Sequence, residues 1–271
     1  MPAMPSGFPN RLHRLAPLLL PWLVAAAPAP VALLAHRALY RLTLVDGRGN
    51  VVGGTGLMGF QLAHACPGWQ VTQRLEMTVT NTEGARTQLV TAYRTWESAG
   101  GDRLRFRMTQ TTDGRIAAET EGTARLAGPG RAGAVDYLRP GGPHRVALPA
   151  GTLFPLAQTR ALIAAALSGK RFLSAPLFDG TGAHGATPSS MVVLAKLPPG
   201  PAPFPLLAAL PSVRMQLAFF GHDPEAVGPD FQTIVRYWAN GVAGTQLMDF
   251  GDFVMKARLI AFHPLAQRCA R

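Results

Sequence analysis

Few residues in this chain have the type and spacing that chemistry needs. The seven histidines are His13, His36, His64, His144, His184, His222 and His263, and none stands in an HxH or HExxH arrangement. Those are the spacings that bring imidazoles onto one metal ion, and two cysteines without clustered histidines make too few ligands. Asp249 and Asp252 fall three apart in MDFGDF. Read as one strand, that spacing sends them to opposite faces, so they form no acid–base pair. No GxSxG elbow is present, which leaves a hydrolase without a nucleophile. Gly54-Thr55-Gly56-Leu57-Met58-Gly59 matches GxGxxG literally. A dinucleotide fingerprint needs a strand before it and a helix opening at it, whereas this run falls inside a strand that follows a hairpin turn. The chain is therefore read as a non-enzyme, with no catalytic, cofactor-binding or metal residue and no cofactor.

The chemistry that remains is oxidative. Cys66 and Cys269 are the two cysteines, and their state depends on the compartment. Arg11, His13 and Arg14 form a basic start, and residues 15–27 are an apolar stretch of the length a signal peptide uses. Val24-Ala25-Ala26 supplies small residues at the spacing signal peptidase reads. A membrane-spanning helix needs about 20 apolar residues, and Pro17, Pro21, Pro28 and Pro30 interrupt this stretch. No cysteine follows it closely, so a lipoprotein anchor is not expected. The expectation is a secretion signal at residues 1–26, then a single periplasmic domain at residues 27–271. In an oxidising compartment two thiols of one chain usually pair, which makes Cys66–Cys269 the expected disulfide. Two buried free thiols are the alternative.

The elements that must hold these residues read as strands. Gly (29) and Pro (24) make up about a fifth of the 271 residues, which suits many short strands joined by turns. Residues 36–46 alternate, with Ala38, Tyr40, Leu42 and Leu44 on one face and Arg37 and Arg41 on the other. Residues 51–65 follow as a Gly-rich, bent strand. Residues 69–81, 86–98 and 103–111 continue the pattern, the last with Leu104, Phe106 and Met108 opposed to Arg103, Arg105 and Arg107. Thr112-Asp113-Gly114-Arg115 is the sharpest hairpin signal. Shorter strands are expected at 116–123, 134–138 and 145–148.

The period then changes. At 155–168, Leu156, Thr159, Leu162, Ile163, Ala166 and Leu167 fall on one helical stripe, and Gly169 is placed to cap it. Strands are expected again at 171–179, 190–197, 212–220, 231–238, 244–250 and 253–262. Residues 198–211 carry six prolines and read as a loop, a lid or a linker. Trp69, Trp96, Trp238 and Phe250 could line a concave surface, but core positions suit them better. The fold class is mainly β: a large antiparallel sheet coiled into a β-spiral or open barrel-like body with one packed α-helix.

The net charge of +11 favours anionic partners. The basic residues are scattered, with no long run and no interleaved stacking aromatics, so no nucleic-acid partner is expected.

Taken together, several motifs resemble the EipB family of periplasmic cell envelope integrity proteins. They are His36-Arg37-Ala38-Leu39-Tyr40, Ala65-Cys66-Pro67-Gly68-Trp69 and Leu153-Phe154-Pro155. Gly169-Lys170-Arg171-Phe172-Leu173, Phe178-Asp179-Gly180, Phe250-Gly251-Asp252-Phe253 and the terminal Cys269 complete the set. The resemblance implies a β-spiral with a helix against it and a disulfide at Cys66 and Cys269. It also implies a non-enzymatic role in envelope integrity beside a tetratricopeptide-repeat partner. The Pro-rich stretch from Pro198 to Pro205 and Pro67 depart from the family pattern. Two functions stand against each other: a protein that binds another envelope protein, and a carrier of lipid or lipoprotein in a curved-sheet groove. A filled interior favours the first and a deep dry groove the second.

Overall fold

The structure, a computed structural model, describes residues 31–223 and 225–266. The expected secretion signal at residues 1–26 and Cys269 lie outside the described residues. Eight strands come first: β1 (His36–Gly47), β2 (Val51–His64), β3 (Gly68–Asn81), β4 (Arg86–Ser98), β5 (Arg103–Thr112), β6 (Arg115–Leu126), β7 (Gly133–Arg139) and β8 (His144–Leu148). Helix α1 (Pro155–Leu167) follows, then β9 (Phe172–Leu177), β10 (Thr187–Leu197) and the single turn α2 (Pro205–Ala208). The chain ends with β11 (Ser212–Phe219), β12 (Phe231–Trp238), β13 (Ala243–Asp249) and β14 (Phe253–Pro264).

These strands form one 14-stranded antiparallel sheet in the order β8-β7-β6-β5-β4-β3-β2-β1-β14-β13-β12-β11-β10-β9. The expected open, barrel-like sheet with a packed helix is what the chain forms. β1 sits in the middle, with His36 facing Leu62 of β2 on one side and Pro264 of β14 on the other. The two edge strands, β8 and β9, are neighbours in sequence and are joined through α1.

Period-two alternation sets the inner and outer faces. In β5, Leu104, Phe106 and Met108 are buried while Arg103, Arg105 and Arg107 are exposed. The predicted hairpin closes Thr112 onto Arg115, with Asp113 at φ 50°, the left-handed geometry of a primed turn.

Helix α1 runs through the interior instead of lying on a surface. Leu162, Ala165 and Ala166 pack on Met191, Val213 and Met215 of the second half of the sheet. Leu156 packs on Leu62, Trp69 and Val71 of the first half. Burial of each large aliphatic here is worth about 1.5–3 kcal/mol. The helix ends as a Schellman motif: Lys170 N–H donates to Ala165 O and Gly169 N–H to Ala166 O. Leu167, placed on the buried stripe by its spacing, is exposed, although Ala165 and Ala166 in the same turn are buried.

The coil is sealed by chain, not by a ladder. Leu153 makes one parallel bridge to Leu177, which ties the exit of β8 to the edge of β9. Residues 178–186 then cross the inner face. Tyr93, Thr120 and Tyr137 donate hydroxyl hydrogen bonds to the carbonyls of Asp179, Gly180 and Gly182. Gly180 adopts φ +78°, and a Cβ there would stand 2.3 Å from the Phe106 ring, so no other residue fits.

The Pro-rich segment is a loop, as expected, apart from one helical turn. It is neither a free lid nor a linker. Its turn α2 buries Leu207 completely, and Phe204 and Leu210 pack beside it against the largest core cluster. Proline fixes the backbone here while apolar side chains plug one end of the coil.

Candidate functional site

The packing leaves a cavity of about 210 Å³ between the first turn of α1 and the inner face of the sheet. Its apolar wall includes Met58, Phe60, Leu62, Val71, Leu156 and Met248. Its polar groups are Tyr40, Gln73, Tyr93, Thr95, Thr159, Tyr237 and Gln246, and no charged side chain lines it. Tyr40 donates to Ala243 O at 2.9 Å, and Thr159 donates to Pro155 O at 2.9 Å. Burial pushes the Tyr40, Tyr93 and Tyr237 hydroxyls up, so all three stay protonated. Gln73 and Gln246 come from β3 and β13, and their side-chain amides, both half-buried, make no hydrogen bond among the described residues. A larger depression, about 440 Å³ and lined in part by Arg41, Thr55, Leu57 and Glu76, lies open on the outer face. It has no convergent geometry.

Glu97 sits at the other end of the first helical turn. It is buried, and its two carboxylate oxygens accept the N–H groups of Leu156 and Ala157, each at 2.8 Å. These are amides that a helix start leaves unpaired, and a carboxylate there is favoured by the helix dipole. Burial nevertheless dominates and raises Glu97 to about 7, while the two amides and Arg160 pull the other way. Sequence inspection missed this group. The signal was present: Glu97 shares strand parity with the inward-facing Tyr93 and Thr95, and an acid on the core side of a strand needs a partner.

The residues considered earlier for chemistry are not brought together. Cys66 lies in the turn between β2 and β3, before a cis bond to Pro67, and Ala65 and Gly68 exchange both backbone hydrogen bonds around it. The GxGxxG run sits within β2, paired on both sides with β1 and β3. Asp249 and Asp252 flank the β13–β14 turn instead of sharing one strand. Burial would raise Asp249, but the bidentate Arg48 contacts, 2.9 and 3.0 Å, together with the Gly251 N–H, outweigh it and hold the carboxyl low.

His36 is buried between the rings of Phe60 and Phe262, its Nδ1 at 2.7 Å from Leu34 O. Desolvation keeps it below the usual imidazole value. The His64 ring lies tilted against Trp69, and His144 stacks on Tyr137. His184 and His222, remote in sequence, meet edge to face at 5.7 Å between ring centres. Among the described residues no three His, Cys, Asp or Glu side chains are grouped for a metal. Trp69 and Trp238 are core residues, whereas Trp96 lies on the outer side beneath the Arg105 guanidinium.

An antiparallel sheet rolled up without a closing ladder, with a helix as its plug, defines a class of β-barrel-like proteins. A crystal structure of one of them, a β-barrel-like protein of the domain of unknown function DUF1849 from Brucella abortus, matches this fold. The TM-score is 0.79 and the identity 25%, over 87% of this chain and 100% of that one. The chain belongs to the EipB-like family, whose model matches residues 27–266. It is similar to the cell envelope integrity protein EipB of Brucella abortus (strain 2308), 27% identical over 245 residues, which covers 87% of this chain and 86% of that protein.

Proposed function

We propose that this chain is an exported, non-enzymatic protein of the periplasm that supports envelope integrity by binding another envelope protein. The envelope role rests on family membership and on the name of the Brucella relative. The observation that carries the binding is the free edge of β9. Residues 172–177 pair with β10 alone, apart from the single bridge at Leu177. Phe172 is 59% exposed there, and its cross-strand neighbour Val192, with Leu194 beside it, also exposes apolar surface. An open edge offers main-chain hydrogen bonds and the adjacent strip offers apolar burial, which together suit a protein partner. The family resemblance names the kind of partner: a tetratricopeptide-repeat protein.

Export would allow Cys66 and Cys269 to pair. Cys66 follows Leu62, and Cys269 follows Pro264, by similar short lengths of chain. Leu62 and Pro264 both face His36, so a disulfide between the cysteines would span one end of the sheet.

The second reading, a lipid or lipoprotein carrier, needs a long dry groove. The interior is filled by α1 and residues 178–186. A cavity of about 150 Å³ takes one benzene, so about 210 Å³ is short of a lipid acyl chain. The test replaces the native gene by one encoding Phe172→Asp with Val192→Asp. The double variant should melt like the wild type yet fail to protect cells against detergent. Full protection would remove the β9 edge from the reading. Lipid recovered in stoichiometric amount with the purified protein would favour the carrier.

A further inference from the structure

The interior cavity has the composition of a ligand site. Its wall is mostly apolar, it carries a few placed polar groups, and it lacks charge. Small-molecule pockets are built this way. Two of the polar groups are unspent. The Gln73 and Gln246 amides reach the cavity from strands separated by β2, β1 and β14, and each still has donors and an acceptor to offer. The three tyrosine hydroxyls stay neutral, so nothing in the wall balances a charged ligand, and burying an unpaired charge costs several kcal/mol.

We infer that this cavity binds a small uncharged amphiphile carrying an amide- or ester-type carbonyl, its polar tip held by Gln73 and Gln246 and its hydrocarbon part against Met58, Leu62 and Met248. Scaled from the benzene-sized cavity, the space holds about eight non-hydrogen atoms. Hexanamide is of that size. The site lies inside the coil, away from the β9 edge, so loss of either leaves the other intact.

The experiment uses methyl-labelled methionine in the mature protein. Hexanamide should shift the Met58 and Met248 methyl signals saturably. Met191 and Met215, packed against the far end of α1, should not move. Hexanoate and hexylammonium should bind at least about tenfold more weakly, since the site cannot pair their charge. Gln73→Leu with Gln246→Leu should weaken hexanamide by about tenfold without lowering the melting temperature. Should the double variant misfold, Gln246→Leu alone and the wild-type methyl map decide. Absence of saturable shifts, equal shifts at all four methionines, equal affinity for hexanoate, or binding unaffected by the leucine variants would overturn the assignment. A merely water-filled cavity gives the first of these results.

Discussion

Glu97 concentrates two opposing forces in one carboxyl group. The α1 amides stabilise its charged form, while removal from water penalises it, and the second effect wins. The folded value is about 7 against an ordinary 4.5. Between those values the folded state holds a proton that the unfolded state has released. The contribution of Glu97 to stability is therefore greatest below about pH 4.5 and is lost as pH rises toward 7, by roughly 3 kcal/mol in all. His36 acts in the opposite sense. Its lowered value means stability is lost as pH falls below the usual imidazole range. The two are separated by Glu97→Gln, which keeps an acceptor for the α1 amides and cannot titrate there. Denaturant unfolding of wild type and variant at pH 5 and pH 8 should show the wild type losing on the order of 2–3 kcal/mol relative to the variant. Parallel pH profiles would show that Glu97 does not carry this linkage. Glu97→Ala should cost about 2–4 kcal/mol at either pH, because it leaves two buried amides and a void.

At the scale of elements, the segment after β9 closes what the sheet leaves open. Its carbonyls rest on hydroxyls from β4, β6 and β7, and Gly180 passes close over Phe106. Gly180→Ala combines a left-handed backbone cost of about 1–2 kcal/mol with an overpacking cost of about 1–3 kcal/mol. The melting temperature should fall by roughly 5–10 °C. Gly182→Ala, with nothing within 4 Å of the new Cβ, is the control and should leave it unchanged. Calorimetry on the two variants separates a seal from a passive loop.

How these elements could be read depends on how local their signals are. Alternation marked β5 because Leu104, Phe106 and Met108 alternate with three arginines, and the change to helical spacing marked α1. Gly180 and its neighbours read only as a loop, because Phe106 lies far away in sequence. The prolines of 198–211 hid a plug whose signal was Phe204, Leu207 and Leu210. The Glu97–α1 contact and the His184–His222 pair are consequences of sheet order, which no local pattern carries.

The whole molecule is organised by its ends. β1 and β14, the first and last described strands, pair at the centre of the sheet, so chain closure is achieved in the middle and the free edges lie at β8 and β9. A Cys66–Cys269 bridge would tie the β2–β3 turn to the tail that follows β14, across β1. Because β14 also carries β13 to β9 on its other side, fraying of the β1–β14 ladder would part the sheet into two halves. Such a bridge would oppose that opening. For a loop of about two hundred residues the chain-entropy model gives about 5 kcal/mol, an upper figure. Oxidised mature protein should carry no titratable thiol and should run faster than its reduced form on a denaturing gel. Reduction, or Cys66→Ser, should lower the melting temperature by roughly 5–10 °C. Hydrogen exchange should rise first along β1 and β14, with β5 and β6 retaining their protection. Melting that is indifferent to reductant, or exchange that rises evenly over all strands, would mean that the halves are held by the ladder and α1 alone.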